Sequence, residues 1–498
     1  MFLCLALLLA IVQRLLLLRL YRSWFKRGFV GDSSVHISIF EAVKKQFYAK
    51  KVARYLIPGP MHYPLGFHRF FLFLKPSFVR KIPYFPNLIL FLIAVTWMFF
   101  TQEVLQFSID PSNNPSSNSA AWVALTLFLI SPINTIFTGP NIAYLKFSER
   151  YFGLLLCSAS YLFQFLYVSN IGEDKTGGLQ SLNLWWSFSV LFGAMAFSSS
   201  IFARQVVVIF DIVLFCLLQE MFFVYHLAIS IFLPVLWEGK YHLRSVYLQV
   251  EYLKRYWQKV RHSKTHKMSL VQFSKSKILK LNGEPLRTVL LNFHYFFSLG
   301  LILVYDVDII WVVFFTVPFL CYFFISFPQL SFIGESYRYI EYPTYLLSFY
   351  VIVDWLLQQP DWGFFWGYFL TSFIIFLIFT RMKKVVGFTT IDEMIVACKI
   401  DEKSVVFPVT MRLGADLNAR TGCKTFWWQP GGLADESLWD KYIYQYPYLN
   451  RDLTRNVSAY GLTHIVCDKK ALSSHADYYD FSEFELVYED FYFVVYRA

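Results

Sequence analysis

Two stretches of the sequence hold residue types that can move a proton and hold an anion. The first runs Gly31-Asp32-Ser33-Ser34-Val35-His36 and resumes as Met61-His62-Tyr63-Pro64-Leu65-Gly66-Phe67-His68. Asp32 and His36 are four residues apart, so they share one face of a helix that starts at Ser33 or Ser34. Asp32 reads either as the N-cap of that helix or as a general base that takes the proton of a hydroxyl. The roles are compatible, because a carboxylate at a helix N-terminus stays ionised. Asp32 with His36, His62 and His68 also offers metal-ligand atoms. Their spacing is irregular and matches no ligand motif, so no metal is assigned, and a divalent cation stays open as a cofactor.

The second stretch is Phe332-Ile333-Gly334-Glu335-Ser336-Tyr337-Arg338-Tyr339-Ile340-Glu341-Tyr342-Pro343, lying between two apolar runs with Pro343 opening the second. Arg338 has the planar fork that grips a phosphate through two hydrogen bonds. The alternative is an ion pair with Glu335 or Glu341, the tyrosines forming an interfacial belt. Lys146-Phe147-Ser148-Glu149-Arg150-Tyr151 is a fainter version of the same pattern. It makes Glu149 and Arg150 secondary candidates, together with Glu341. Asp306 and Asp308 read as caps of a tight hairpin. None of these stretches contains a GxGxxG, Walker, HExxH or GxSxG motif. Nucleotide chemistry has no visible site.

The elements that must position these residues follow from composition. Of 498 residues, 56% are hydrophobic and 16% charged, aromatics make up 20%, and mean hydropathy is +0.45. Soluble proteins carry roughly 25% charged residues, so this chain cannot cover its own surface with polar groups. Soluble multidomain, disordered and coiled-coil classes are excluded. A polytopic α-helical membrane protein is implied, because backbone polar groups in lipid must pair within their own segment. The net charge of +11 sits mostly between apolar runs, where it serves lipid headgroups rather than nucleic acid.

The N-terminal run MFLCLALLLAIV resumes as LLLL before Arg19 with no small-residue cleavage site, as a retained first span does. A polar, basic and aromatic first loop follows at 21–85, with amphipathic helices. Apolar runs then lie at about 86–101, 120–138, 151–168, 184–201, 205–237, 289–305, 309–327, 343–358 and 364–380. At roughly 20 residues per span they predict about ten or eleven spans. The run 205–237 reads as two short spans, or as one span and an interfacial helix. Between 238 and 287, twelve Lys or Arg residues face Glu238, Glu251 and Glu284. That balance predicts an amphipathic basic helix on the cytoplasmic leaflet.

Residues 1–384 thus form a transmembrane domain, and 385–498 read as a small soluble C-terminal α/β domain. Expected there are a strand at 404–410, a helix at 413–422 ended by Gly422, and a helix at 446–461 ended by Gly461. A buried strand at 463–468 and a closing hairpin at 484–497 complete it. The seven cysteines form no CxxC pair. Cys398, Cys423 and Cys467 allow one disulfide in the C-terminal domain, Cys423 with Cys467 among the pairings.

The stretch 31–69 and the order of the elements resemble the GT-C superfamily of integral-membrane glycosyltransferases, which use a polyprenyl-phosphate-linked sugar as donor. The likeness consists of a first span, a Gly-Asp-x-x-x-His step, an amphipathic helix, a Tyr-Pro-x-x-x-His element, many spans and a small C-terminal α/β domain. It implies an extracytoplasmic first loop whose essential acid is a general base, at Asp32 here. It also implies that basic loop residues at the same face hold the lipid phosphate, for which Arg338 is the candidate. Where the family often carries a paired acidic motif, Asp32 has only Ser33 and Ser34 beside it. An extracytoplasmic first loop shares a face with 238–287 only if an even number of spans separates them.

The resulting expectation is an inverting glycosyltransferase that moves a sugar from a polyprenyl phosphate to a hydroxyl acceptor, on an envelope glycan, glycolipid or protein. Asp32 deprotonates the acceptor and His36 orients it or assists. Arg338 holds the departing phosphate, with Glu335 fixing its fork, and Tyr63 and His68 shape the acceptor cleft. The expected place is the bacterial inner membrane, with membrane lipids as partners and the C-terminal domain outside the cytoplasm. The alternatives are a lipid-linked glycan flippase and a non-catalytic scaffold for envelope-polysaccharide assembly.

Overall fold

The computed structural model describes the chain apart from residues 1–7, 11, 14–32, 60, 62, 83–84, 110–116, 132–146, 172–177, 261–270, 273–279, 282–287, 305–306, 328–329, 331–332, 334–335, 359–361, 383–389, 428, 430–435, 446–447 and 474. Asp32, His62, Asp306 and Glu335 lie outside the described residues.

The protein is a polytopic α-helical membrane protein with a small C-terminal sheet region. The first loop forms α1 (Ser33–Lys45), α2 (Gly66–Phe70) and α3 (Pro76–Lys81). Six helices follow: α4 (Phe85–Ile109), α5 (Ser117–Ile130), α6 (Glu149–Ile171), α7 (Gly178–Ser199), α8 (Ile201–Leu218) and α9 (Met221–Phe232). After the short α10 (Val235–Glu238) come α11 (Lys240–Val260), α12 (Phe293–Val304), α13 (Ile309–Ile325), α14 (Arg338–Gln358) and α15 (Trp362–Met382). Among the described residues three helical stretches are long and apolar enough to cross a membrane: Glu149–Ser169, Ile201–Leu218 and Met221–Glu238. The run 205–237 is therefore two helices, broken at Gln219, whose φ of 57° closes α8 in the left-handed region.

Helix α14 opens at Arg338, so Pro343 lies inside it rather than at its start. Proline cannot donate a backbone hydrogen bond. Beyond it, Ser158 Oγ of α6 accepts from Leu346 N at 2.6 Å and donates to Pro343 O at 3.2 Å, pinning α6 to α14. Arg338 and Glu341 therefore stand in the first turn of a continuous helix.

The C-terminal module begins with α16 (Thr390–Ala397) and β1 (Val405–Pro408). Next come α17 (Met411–Thr421), β2 (Lys424–Thr425), α18 (Glu436–Tyr442), β3 (Ile443–Gln445), β4 (Tyr448–Leu449), β5 (His464–Asp468), β6 (Glu485–Glu489) and β7 (Phe493–Arg497). The main sheet has the order β2-β1-β5-β7-β6, parallel across its first three strands and antiparallel beyond. Gly422, at φ 76°, ends α17 as its left-handed cap. The expected strands at 404–410 and 463–468 and the closing hairpin are present. The expected helix at 446–461 is instead β4, a 3₁₀ turn (Arg451–Asn456) and one helical turn (Val457–Tyr460). There β4 pairs with β3, and Tyr448 bridges to Thr410. Cys398, Cys423 and Cys467 are free thiols, so the disulfide that the sequence allowed is not formed.

The first loop is built into the C-terminal module. Thr425 of β2 donates to Arg54 O at 3.1 Å and accepts from Leu56 N at 2.9 Å, adding a strand-like segment at the sheet edge. Helix α1 has two apolar faces. Ile37 and Phe40 enter the core of the transmembrane helices, whereas Ile39 and Val43 enter the core that holds Val405, Phe407, Met411 and Ile465. The helix is the seam between the two cores.

Helices α10 and α11 meet the first loop as well. Arg69 Nη1 donates to Glu238 Oε1 at 2.8 Å, and Tyr241 Oη donates to Tyr63 O at 2.9 Å. The first loop, the start of the basic segment and the C-terminal module therefore share one face, with six helices, α4 to α9, between loop and segment among the described residues. A cytoplasmic 238–287 and an extracytoplasmic first loop cannot both hold. Amphipathic helices at the membrane surface carry Lys and Arg on either side, so the charge count alone does not assign that face to a compartment.

Candidate active site

The site is assembled where the first loop meets the N-termini of α6 and α14. Helix α1 presents His36, and α2 presents His68. Tyr63 comes from the extended segment before α2, whereas Glu149 and Arg150 begin α6. Gly66, at the start of α2, packs against the end of α7. A Cβ there would lie 2.5 Å from Ser199 Oγ and 2.8 Å from Ser198 O, so only glycine allows this approach.

Glu149 is the hub. His36 Nε2 lies 2.6 Å from one of its carboxylate oxygens, and the Tyr63 hydroxyl donates to the other in a short hydrogen bond. His36 Nδ1 lies 3.1 Å from His68 Nε2, and the two rings are stacked with centroids 5.3 Å apart. All of Glu149, His36 and His68 are buried. Burial, aided by His36 and Arg69, holds His68 well below the usual imidazole range, so it stays neutral at pH 7. Nε2 of His36 carries a proton towards Glu149, and one proton is shared between His36 Nδ1 and His68 Nε2. The chain Glu149–His36–His68 can thus accept or pass a proton without exposing a bare charge.

Beside the hub sits a pair of arginines. The Arg338 guanidinium carbon stands 3.2 Å over the centre of the Phe202 ring, and that of Arg150 stands 5.7 Å from the same centre. Phe202 is in the first turn of α8, which Ser200 caps by accepting from Ala203 N. Tyr342 has Arg338, Glu149, Arg150 and Glu341 as its electrostatic neighbours, so acid hub and arginine pair form one cluster. Tyr151 and Tyr345 tie α6 to α14 beneath it, with their hydroxyls 3.1 Å apart.

Of the residues singled out in the sequence, His36, Tyr63, His68, Glu149, Arg150, Arg338 and Glu341 are brought to this cluster. Asp32 and Glu335 lie outside the described residues; Asp32 immediately precedes α1 in the chain. Among the described residues, no group of three His, Cys, Asp or Glu side chains could hold a metal ion. Sequence reasoning missed Phe202, which has no signal inside an apolar run. Glu149, a secondary candidate in the sequence as a fainter version of the Arg338 pattern, contacts both His36 and Tyr63.

No protein-family model and no curated protein sequence matches the chain. Among solved structures, the archaeal oligosaccharyltransferase AglB from Archaeoglobus fulgidus, in complex with an inhibitory peptide and a dolichol-phosphate, superposes with a TM-score of 0.52. The match is 9% identical and covers 93% of this chain and 69% of that one. AglB is a GT-C membrane glycosyltransferase. The chain has the GT-C fold. ArnT from Cupriavidus metallidurans in the apo state is also similar, at 11% identity and TM-score 0.49, over 98% of this chain and 97% of that one. In this fold the buried cluster lies between the helical bundle and the C-terminal module, at the seam formed by α1.

Proposed function

We propose that the chain is a membrane glycosyltransferase that moves one sugar from a polyprenyl phosphate to a hydroxyl acceptor with inversion. The observation that carries this reading is the junction of a buried acid–histidine hub, Glu149–His36–His68, with the arginine pair Arg150 and Arg338. Proton acceptance and phosphate holding are the two tasks of the reaction, and the cluster offers one group of residues for each.

In the proposed step, Asp32 takes the acceptor hydroxyl proton as the acceptor oxygen attacks the anomeric carbon. The bond from that carbon to the phosphate oxygen breaks, and the polyprenyl phosphate leaves as an anion. Arg338 holds that phosphate, Arg150 adds a second charge, and Glu341 and Glu335 orient the guanidinium fork. His36 assists by fixing α1 between Glu149 and His68, which orients the acceptor side of the site, while Tyr63 and His68 wall the acceptor cleft. Phosphate is already a good leaving group, so positioning and charge neutralisation supply most of the rate. We take residues 1–384 as the catalytic membrane domain and 385–498 as a module that seats α1. The acceptor is an envelope glycan, a glycolipid or a protein at the outer face of a bacterial inner membrane, where the C-terminal module also lies.

The test is sugar transfer from a panel of polyprenyl-phosphate sugars by wild type and Asp32→Asn. Transfer that collapses in the variant, with folding and donor binding intact, supports the reading. Transfer that survives removes Asp32 as base and turns attention to Glu149. Absence of transfer from every donor, with donor phosphate bound, favours a flippase or scaffold.

A further inference from the structure

Helix α11 turns an apolar stripe away from the protein. His242 and Ser245 are buried against the fold, whereas Leu243, Tyr247 and Val250 are 43%, 63% and 60% exposed. At about 100° per residue these three fall with Lys254 inside an arc of roughly 60°. Lys240 and Arg244, both exposed, flank one edge of it. An apolar stripe bordered by basic residues is the surface of a helix that lies in a headgroup layer.

Its position fits that surface. The candidate span Met221–Glu238 ends one residue before α11 begins. The residue between them is Gly239, whose φ of 58° breaks the helix and redirects the chain. Helix α11 therefore starts at the membrane boundary.

The buried face of α11 is fastened beneath the arginine pair. Arg204 Nη1 donates to Ser245 Oγ at 3.0 Å and to Gln249 Oε1 at 3.2 Å, and Gln249 Nε2 donates to Ile201 O at 3.0 Å. Ile201 precedes Phe202, the ring shared by Arg150 and Arg338.

We propose that α11 docks on the anionic phospholipid surface of the leaflet at the candidate-site face. Leu243, Tyr247 and Val250 enter among the acyl chains, and Lys240, Arg244 and Lys254 meet the lipid phosphates. This is the leaflet of the first loop and the C-terminal module, whichever compartment they face. The docked helix braces the turn that carries Phe202, so the membrane surface itself seats the arginine pair. That last consequence rests on the glycosyltransferase reading; the docking does not.

The experiment places benzoylphenylalanine at Tyr247, at Leu243 and, as a water-facing control, at Lys424 in the full-length protein. Each variant is reconstituted into phosphatidylcholine nanodiscs with or without phosphatidylglycerol, irradiated and analysed by mass spectrometry. Lipid adducts at 247 and 243, absent at 424 and several-fold more abundant with phosphatidylglycerol, are expected. Equal yields in both lipid mixtures overturn the role of the basic residues. Adducts to another segment of this chain, to a second copy or to nothing overturn the docking. Tyr247 and Leu243 are exposed, so the probes do not disturb packing, and gel filtration of each variant checks this. No sugar transfer is needed, so the result stands apart from the fate of the catalytic reading.

Discussion

Ser34 Oγ donates to Asp416 Oδ1 at 2.5 Å, joining the first turn of α1 to a helix 382 residues further along the chain. Four residues on, Ser38 Oγ donates to Asn418 Oδ1 at 2.8 Å, and Asn418 in turn donates to the carbonyl of Cys423. The first loop lacks an acidic neighbour beside Asp32 in sequence. An acidic side chain nevertheless reaches the start of the same helix from the C-terminal module. The module thereby fixes the pitch and rotation of the helix that presents His36.

Asp416→Asn is accordingly expected to loosen this seam without unfolding either core. A hydrogen bond to a charged group contributes about 1.5–3 kcal/mol, so the thermal midpoint falls measurably. Limited proteolysis between 45 and 65 becomes faster. An unchanged midpoint and cleavage rate would mean that the apolar contacts of Ile39 and Val43 suffice alone.

His68 gives the stability a pH dependence of defined sign. Its folded pKa lies well below the ordinary value of 6.5, through burial first and then the charges of His36 and Arg69. Between the two values the unfolded chain binds a proton that the folded chain does not. Stability is therefore full above about pH 6.5 and is lost as pH falls below it. Thermal melts between pH 8 and 5 should show a falling midpoint. His68→Gln should flatten that fall. A midpoint that rises on acidification would contradict the neutral, buried state of this ring.

Much of this arrangement was legible in the sequence because its elements obey local rules. Gly422 ends α17, the apolar strand around Val405 to Pro408 forms, and the run 205–237 divides into two helices. Serine, histidine and aromatic spacing marked the first loop correctly as an amphipathic helix followed by a Tyr-Pro-x-x-x-His element. What escaped were relations with no local signature. Phe202 is an ordinary apolar residue until two arginines from α6 and α14 share its ring. Pro343 looked like a helix start, because nothing nearby announces that the helix already begins at Arg338. The strand-like segment at 54–57 has no partner in its own neighbourhood, and only the edge of a distant sheet gives it one. The side of the membrane taken by 238–287 has no local signature either: a charge count cannot tell a loop in water from a helix at the headgroups.

Under the proposed reaction, the acid hub and the arginine pair should fail in different ways. Glu149→Gln leaves the phosphate site intact but removes the charge that orients His36 and Tyr63. We expect kcat to fall by about two orders of magnitude, the size typical for one preorganised electrostatic group, with donor KM little changed. Arg338→Lys keeps the charge and loses the planar fork. It should raise donor KM or weaken binding of polyprenyl phosphate, measured by displacement of a labelled lipid. Loss of kcat alone in Arg338→Lys, or of donor affinity alone in Glu149→Gln, would reverse the assignment of the two groups.

The last prediction concerns the helices that carry the site. Asp211 of α8 lies 2.7 Å from His226 Nδ1 of α9, and Gln164 Nε2 of α6 donates to the same carboxylate at 2.8 Å. Nε2 of His226 lies 3.0 Å from Ser160 Oγ and 3.1 Å from Ser189 O, and Ser160 itself donates to Ser189 O at 2.9 Å. Both atoms near Nε2 are then acceptors, and Gln164 Nε2 also lies 3.0 Å from Nδ1. Asp211 and His226 are a buried acid–histidine pair in a network that joins α6, α7, α8 and α9. Removing one partner leaves the other buried without it and is expected to cost about 3–5 kcal/mol, whereas replacing both with apolar residues is often close to neutral. His226→Leu and Asp211→Leu should each lower the thermal midpoint in nanodiscs strongly. The double variant should recover most of the loss, and transfer activity should follow the midpoint. Gly193 lies against this pair, with a Cβ there only 2.9 Å from His226 Nε2, so Gly193→Ala should reproduce part of the single-variant effect. A double variant as unstable as the sum of the singles would show that the two groups act independently rather than as one pair.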